Sequence, residues 1–286
     1  MPTLCYILSL PRSGSTVLSA LLDRKKGIVS PPESVFPQML GTVTAEERED
    51  KRWMGALYLG STLTPTPLSL EDAQECMIGS NEEILIALGK AVAVKLGRDA
   101  NQIEAVVWKT PRMVGMHEGP LSTDGKFVVL RRNPHNVFES QFRVDFGEKN
   151  RNPYRFALLR ESYEHAFSRL PKERTIEITY DSLPGSLADL VRFLGVASVG
   201  EWENTSSSLD LAAQHCGHMA DVTKPFENTD PAKRARLDSA QIRKLEFAMR
   251  LAGPTRFLLG PLRAHFDTQS MKWSRDKATG LLQQVD

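Results

Sequence analysis

Short apolar strands alternate with helical stretches along most of this chain. The apolar runs occupy residues 4–9, 28–29, 104–108 and 126–131, and residues 174–179 alternate as in a strand. Apolar side chains at helical spacing fill much of the sequence between these runs. This alternation predicts a mostly parallel sheet, because neighbouring parallel strands need a crossover connection that is usually a helix. We therefore expect an α/β fold, a three-layer sandwich around a central, mostly parallel sheet.

The chain has 286 residues, a length that suits one or two domains. It contains no internal repeat and no low-complexity tract, so we assign residues 1–286 to a single domain. The apolar run at the N-terminus lacks a positive leader and is shorter than a signal-peptide core with its cleavage site, which favours a buried first strand. We expect the last dozen residues to form a loosely held tail.

The charges in the sequence are nearly balanced, with 36 Lys and Arg, 35 Asp and Glu and a formal net charge of +1. This balance argues against nucleic-acid binding through bulk charge, although a small basic pocket remains compatible with it. Cys5, Cys76 and Cys216 are too few and too scattered for a disulfide framework, so we expect a reducing compartment, the cytoplasm. No apolar run approaches the ~18 residues of a membrane span, so we expect no integral membrane contact.

The first predicted strand leads into the loop sequence Pro-Arg-Ser-Gly-Ser-Thr, which precedes an apolar helix. In such an arrangement the backbone N–H groups of a tight turn converge on an anion, and the helix N-terminus adds partial positive charge. Arg12 adds a full charge, and hydroxyl donors come from Ser13, Ser15 and Thr16 around Gly14. A Ser/Gly turn that only joins strand to helix is the alternative, and the position at the end of the first strand favours a ligand site.

A second basic segment stands where the strand at 126–131 ends and a helix begins at Pro134. Arg132 lies at this junction, and Ser140 follows it on the predicted helix. An arginine fork and a serine hydroxyl can hold one phosphate together. Taken alone, an Arg-Asn-Pro turn is more often the start of a surface helix.

Together these segments resemble the sulfotransferases that use 3′-phosphoadenosine 5′-phosphosulfate (PAPS), in particular bacterial members. The N-terminal loop is similar to their 5′-phosphosulfate loop, and Val-Leu-Arg-Arg-Asn-Pro with Ser140 is similar to their 3′-phosphate motif. Trp-Lys-Thr-Pro around Lys109 and Thr-Tyr-Asp-Ser-Leu around Tyr180 resemble two further family segments, in family order. The resemblance implies a P-loop-like phosphate-binding loop, PAPS as donor, 3′-phosphoadenosine 5′-phosphate (PAP) as product, and transfer of a sulfuryl group to a hydroxyl.

The sequence departs from the family pattern at a few positions. Asn133 stands where the family normally has Asp, and Arg12 where it often has Lys. Asn still caps a helix and Arg still carries charge, so both changes are mild. No clear Arg-Lys-Gly stretch for the 3′-phosphate follows; either Lys224-Pro225 or the basic run at 233–236 stands in for it, although a charge run is usually a solvated face.

The resemblance also implies how the reaction is carried out. Arg12 and Lys109 are suited to stabilising the leaving phosphate, so no metal is required. A base must accept the proton of the acceptor hydroxyl, and Glu33 is the first candidate, because it follows the second predicted strand in a Pro-x-Glu segment similar to that of some bacterial members. The alternative for Glu33 is a surface carboxylate that caps a helix. His117 is the second candidate, with a polar surface histidine as its alternative.

Two further assignments rest on the resemblance. Tyr180 either contacts the adenine or is a core tyrosine. The acceptor-binding or lid segments are 34–100 and 200–235, where family members vary most. Apolar side chains of the first segment either line an acceptor pocket or belong to the core, namely Phe36, Trp53, Met54, Leu57 and Tyr58. The absence of a basic excess favours a small or lipid-like hydroxyl acceptor over an anionic polysaccharide.

Two other functions compete with a sulfotransferase. A P-loop small-molecule kinase would need Gly-Lys-[Ser/Thr] after the first strand and a Walker B carboxylate, and neither is evident. A catalytically silent PAP- or nucleotide-binding protein would keep the loop without the chemistry. The sequence does not indicate an oligomeric state.

Overall fold

The computed structural model describes residues 1–109, 118–141, 152–183, 185–198, 200–202, 228, 230–253 and 259–285. Its strands are β1 (Thr3–Ser9), β2 (Ile28–Val29), β3 (Ala105–Lys109), β4 (Lys126–Arg131) and β5 (Thr175–Thr179). They form one five-stranded sheet in the order β2-β3-β1-β4-β5, and every neighbouring pair is parallel. The predicted strands and the parallel sheet are confirmed.

Helices connect and cover the strands. The helices that precede β4 in the chain are α1 (Ser15–Asp23), α2 (Phe36–Met39), α3 (Ala45–Glu49), α4 (Lys51–Ser61), α5 (Leu70–Glu75), α6 (Asn81–Lys95) and α7 (Glu118–Leu121). The later ones are α8 (Pro134–Gln141), α9 (Pro153–Phe167), α10 (Leu187–Leu194), α11 (Asp230–Arg234), α12 (Ser239–Ala252) and α13 (Leu259–Val285). Short 3₁₀ turns occupy Leu40–Thr42, Ala100–Gln102, Lys172–Arg174 and Tyr180–Ser182.

Alternate side chains of the strands enter two separate cores, one on each face of the sheet. On one face Cys5 and Ile7 pack with apolar side chains of α1 and α10, such as Leu18 and Leu190. On the other face Tyr6 and Leu8 belong to the larger core, which includes side chains of α4, α6, α8 and α9. The predicted three-layer α/β sandwich is therefore confirmed.

The strand register brings the carboxyl ends of β1, β3 and β4 to one edge of the sheet. Ile7 of β1 lies beside Lys109 of β3, and Ser9 lies beside Leu130 of β4. The loop after β1 and the basic segment after β4 therefore start close together, although they are far apart in sequence. In open α/β sheets this edge is where ligands bind.

The larger core absorbs most of the apolar side chains that the sequence offered as an acceptor wall. Phe36, Met54, Leu57 and Tyr58 are fully buried. The Tyr58 ring meets Phe36 edge-on at 5.5 Å and Trp108 at 6.3 Å between centroids. For these residues the structure supports the core alternative.

The C-terminal helix α13 packs along α4. The contact is close at Gly60, where a Cβ atom would lie 2.7 Å from the carbonyl oxygen of Ser274 and 2.9 Å from the amide nitrogen of Ala278. Ala278 is fully buried, and Arg275 forms an ion pair with Glu47. The expectation of a loosely held C-terminal tail is wrong. None of the helices in the described part of the chain combines the length and apolar character needed to cross a bilayer.

Candidate active site

The loop between β1 and α1 has a backbone shaped for an anion. Arg12 and Gly14 both have positive φ, 74° and 94°, and the Ser13 N–H closes a turn by donating to the Leu10 carbonyl at 3.1 Å. Helix α1 begins directly after Gly14, and Gly14 supplies no side chain to cap its first N–H groups. Such a run of N–H groups at a helix start binds phosphate or sulfate.

The Tyr180 ring packs against the loop backbone at Gly14. A Cβ atom at Gly14 would lie 2.4 Å from both Cδ2 and Cε2 of that ring, so only glycine fits there. Tyr180 is buried in the core beside α10, and burial raises the pKa of its hydroxyl. The structure thus places Tyr180 both in the core and beside the loop, so the two alternatives are not exclusive.

Lys109, the last residue of β3, contacts both the phosphate loop and the segment that follows β2. Its side chain is almost fully buried, its Nζ donates to the Thr16 hydroxyl at 2.7 Å, and it forms an ion pair with the Glu33 carboxylate. Glu33 therefore lies beside the phosphate loop, and it pairs with a cation rather than capping α2, which begins after Val35 without a side-chain cap.

The backbone of Glu33 is held from the segment that follows α4. Its N–H donates to the Thr64 hydroxyl at 3.0 Å, and its carbonyl accepts from the Leu63 N–H at 2.7 Å. Before Glu33, the N–H of Ser30 donates to the buried Asp23 carboxylate at 2.7 Å. Glu33 is consequently fixed on both sides. Thr64 carries no motif, and its role was not predicted from the sequence.

The second basic segment meets the same loop. Arg12 Nε donates to the Ser140 hydroxyl at 3.3 Å, and Arg132 Nη1 donates to the Arg12 carbonyl at 3.1 Å. The Arg132 guanidinium stacks on the Tyr180 ring, with 3.9 Å between its central carbon and the ring centroid. All of the sequence-predicted phosphate ligands that the structure describes therefore belong to one site.

Helix α11 adds an acidic and a basic side chain that surround Arg132. The Asp230 carboxylate accepts from Arg132 Nε at 2.8 Å, and both side chains are nearly buried, 6% and 4% exposed. Burial, followed by the nearby charge of Arg132, lowers the pKa of Lys233 to about 8. The same two causes lower the pKa of Arg12. Positive charge is thus concentrated at this edge of the sheet.

Several sequence-based candidates lie outside the described residues: His117, the Thr-Pro that follows Lys109, and Lys224-Pro225. Of the basic run at 233–236, Lys233 has a pKa lowered by burial and by the nearby charge of Arg132, whereas Arg236 pairs with Glu139 at 3.2 Å. No group of three or more metal-binding side chains occurs within the described residues.

Known proteins were compared with the chain. A sequence profile described as the sulfotransferase family matches residues 5–199. A search of curated protein sequences finds no match. Among solved structures, the sulfotransferase domain of the Synechococcus PCC 7002 olefin synthase is 20% identical, with 86% of this chain and 94% of that chain covered and a TM-score of 0.46.

Two further solved structures show the range of these similarities. The sulfotransferase domain from the curacin biosynthetic pathway is 20% identical, with 82% of this chain and 97% of that chain covered and a TM-score of 0.43. Retinol dehydratase in complex with androsterone and PAP is 13% identical, with 88% and 80% covered and a TM-score of 0.35. The match of the family profile extends over more than half of the chain and includes the loop, β3, β4 and the Tyr180 turn.

Proposed function

This chain belongs to the sulfotransferase family, and on that premise we propose that it transfers the sulfuryl group of PAPS to a hydroxyl of a small or lipid-like acceptor. The observation that carries the proposal is the contact of Lys109 with both Thr16 and Glu33. It joins a cation, the phosphate loop and a carboxylate at the edge of the sheet where ligands bind.

The donor would lie across the loop. The N–H groups from Gly14 to Thr16 and the Arg12 side chain suit the 5′-phosphosulfate, because these donors could all bind one anion. Arg132 and Ser140, both in contact with Arg12, suit the 3′-phosphate. Tyr180, beside Gly14 and under Arg132, suits the adenosine.

The chemistry would need in-line displacement at sulfur. The bond from sulfur to the phosphate oxygen breaks, a bond from sulfur to the acceptor oxygen forms, and the hydroxyl proton moves to the Glu33 carboxylate. Lys109 would stabilise the negative charge that develops on the leaving phosphate. Because these side chains supply the charge, we propose a reaction that uses no metal.

The acceptor would approach Glu33 from the segments 34–100 and 200–235, within a single domain. Support for the first segment comes from Thr64 and Leu63, which hydrogen-bond to the Glu33 backbone. The near-zero net charge supports a small or lipid-like acceptor, since an anionic polysaccharide chain would need a basic groove.

Ligand-induced stabilisation tests the donor class. We expect PAP at about 100 times its Kd to raise the free energy of unfolding by about 2.7 kcal/mol, and ADP or ATP with Mg²⁺ to raise it much less.

Arg132→Ala should weaken PAP binding by about 10- to 150-fold, the range of a charge-assisted hydrogen bond. Thermal shift and calorimetry measure both effects. Arg192→Ala, at an exposed arginine of α10, is the matched control. Equal stabilisation by ATP with Mg²⁺, or unchanged PAP affinity in Arg132→Ala, would contradict the assignment.

PAP binding should also depend on pH through Lys233. Because the pKa of Lys233 is lowered to about 8, this side chain loses its proton as the pH rises through that value. The phosphates of PAP are already ionised there, with second pKa values near 6. We therefore expect PAP affinity to fall between about pH 7 and pH 9, and Lys233→Gln to remove most of this dependence. Calorimetry across that range measures it; an equally steep pH profile in Lys233→Gln would rule out Lys233 as the titrating group.

A further inference from the structure

Arg132, the proposed ligand of the 3′-phosphate, is already engaged by a carboxylate. Its Nε and Nη2 both donate to Oδ1 of Asp230, and its Nη1 donates to the Arg12 carbonyl. The Tyr180 ring covers one face of the guanidinium. In this arrangement the Nε and Nη2 edge of Arg132 is directed at Asp230, so a phosphate could use that edge only by taking the place of the carboxylate.

The pairing of Arg132 with Asp230 is imperfect. Both donors share one oxygen, and Oδ2 of Asp230 is buried without a hydrogen-bond partner among the described residues. The best geometry for an arginine with a carboxylate or phosphate is two parallel bonds to two oxygens. A buried oxygen without a donor also lowers stability. The Asp230 carboxylate therefore satisfies Arg132 less well than an anion with two suitably placed oxygens would.

Besides the ion pair with Arg132, polar contacts hold the residues just before and just after α11. Asn228 Nδ2 donates to the Asp181 carboxylate at 2.9 Å, and Asn228 Oδ1 accepts from the Asp230 N–H at 3.0 Å. Arg236 reaches Glu139 from an exposed position. The hydrogen bond of Asn228 with Asp181 is exposed, and the other two contacts are partly buried, so each contributes only modestly to stability. A ligand that binds Arg132 better than Asp230 does can thus displace the helix.

We propose that Asp230 occupies the place of the donor's 3′-phosphate in the free protein and is exchanged for that phosphate when the donor binds. The proposal rests on the proposed function and adds its regulation. A phosphate brings about two negative charges and three acceptor oxygens, whereas Asp230 brings one charge and uses one oxygen. Arg12 and Lys233, which lie near Arg132, favour the more strongly charged occupant.

A consequence is discrimination between nucleotides. A nucleotide with a 3′-phosphate displaces Asp230, and the energy of the new contacts offsets the loss of the old ones. A nucleotide without that group, such as ADP, leaves Asp230 on Arg132 and gains nothing from the exchange. Asp230 is then a specificity-determining residue that acts through Arg132.

The decisive measurement is the affinity for PAP and for ADP in wild type and Asp230→Asn. Asparagine keeps the size of the side chain and weakens it as a competitor, because it carries no charge. We expect PAP to bind about tenfold more tightly in the variant and ADP affinity to stay within about twofold. The matched control is Asp189→Asn, which removes the carboxylate from the exposed ion pair of Asp189 with Arg192 on α10. It should change neither affinity.

The outcomes separate this inference from the proposed function. If wild type binds PAP and Asp230→Asn binds it equally or more weakly, the exchange is overturned while the donor assignment stands. If neither protein binds PAP, both the donor assignment and the exchange fail. A parallel gain for PAP and ADP would also overturn the exchange, because a general loosening of the site would have that effect.

Removing one partner of a buried ion pair can destabilise a protein, so Asp230→Asn could fail to fold. A measurement on the wild-type protein tests the exchange without this variant. Hydrogen exchange of the backbone amides in α11 and the turn after it, residues 230–237, should become faster in saturating PAP and should not change in saturating ADP. Unchanged or slower exchange in PAP would overturn the proposed displacement of this helix.

Discussion

Replacing Glu33 by glutamine should lower the rate of sulfuryl transfer by about 10²–10⁴-fold, the usual contribution of a positioned general base. PAP affinity should change little, because the Glu33 carboxylate contacts Lys109 and not the predicted phosphate ligands Arg132 and Ser140. Glutamine keeps the shape of the side chain and its contact with Lys109, and it cannot accept the hydroxyl proton. Turnover with labelled PAPS and a hydroxyl acceptor, together with calorimetry of PAP, measures the two effects separately.

A second glutamate serves as the control for the effect of Glu33→Gln on turnover. Glu173→Gln changes an exposed glutamate in the turn Lys172–Arg174, outside the proposed acceptor segments, and should leave turnover unchanged. Full activity in Glu33→Gln would remove Glu33 as the base. The remaining sequence-based candidate is then His117, and the same pair of measurements on His117→Gln would test it.

The strand ends of the site could be predicted because they depend on local patterns. Apolar runs of five to seven residues define β1, β3 and β4 in the sequence, and in a parallel sheet the carboxyl ends of such strands share an edge. Basic and hydroxyl residues that follow the strands must therefore lie together. The strand pattern thus predicts Arg12, Lys109 and Arg132 at one edge, where the structure also has them.

Contacts between distant segments could not be predicted in the same way. Asp230 is 98 residues from its partner Arg132, and no periodicity or motif relates the two positions. The docking of α13 was missed because it depends on close packing at Gly60, a residue whose small size is meaningful only beside Ala278. In both cases the information lies in a pair of positions, and a single sequence shows each position separately.

The apolar residues of α2 and α4 illustrate a different limit. Phe36, Met54 and Tyr58 have a composition that suits an acceptor pocket and a core equally well, and the sequence leaves both open. Tertiary packing decides, because Tyr58 lies between Phe36 and Trp108 beneath the sheet. An aromatic cluster is therefore informative about function only once its exposure is known.

Replacing Gly14 by alanine should disrupt the conformation of the phosphate loop. A φ of 94° strains any L-residue by about 1–2 kcal/mol, and the new methyl group would lie 2.4 Å from two carbons of the Tyr180 ring. Relief of that overlap requires a shift of the loop or the ring, at a further cost of about 1–3 kcal/mol. We expect a loss of about 2–5 kcal/mol of unfolding free energy and a loss of PAP affinity of about 100-fold. Denaturant unfolding and calorimetry measure these.

Gly97→Ala separates the two causes of this effect. Gly97 has a similar φ of 79°, and nothing lies within 4 Å of its Cβ position. The variant should therefore lose only the backbone part, about 1–2 kcal/mol, and keep its PAP affinity. If Gly14→Ala is no more destabilised than Gly97→Ala and binds PAP as tightly as wild type does, the contact between the loop and Tyr180 is not what shapes the donor site.

A double-mutant cycle then identifies Tyr180 as the source of the clash. Removing the ring in Tyr180→Ala makes space beside Gly14, so adding Gly14→Ala to it should bring only the backbone strain. The two changes together should destabilise the protein by about 1–3 kcal/mol less than the sum of the single changes. Strict additivity would mean that the loop avoids the ring without strain. Because Arg132 also stacks on Tyr180, PAP affinity should stay low in the double variant, although its loss of stability is smaller than the sum of the single losses.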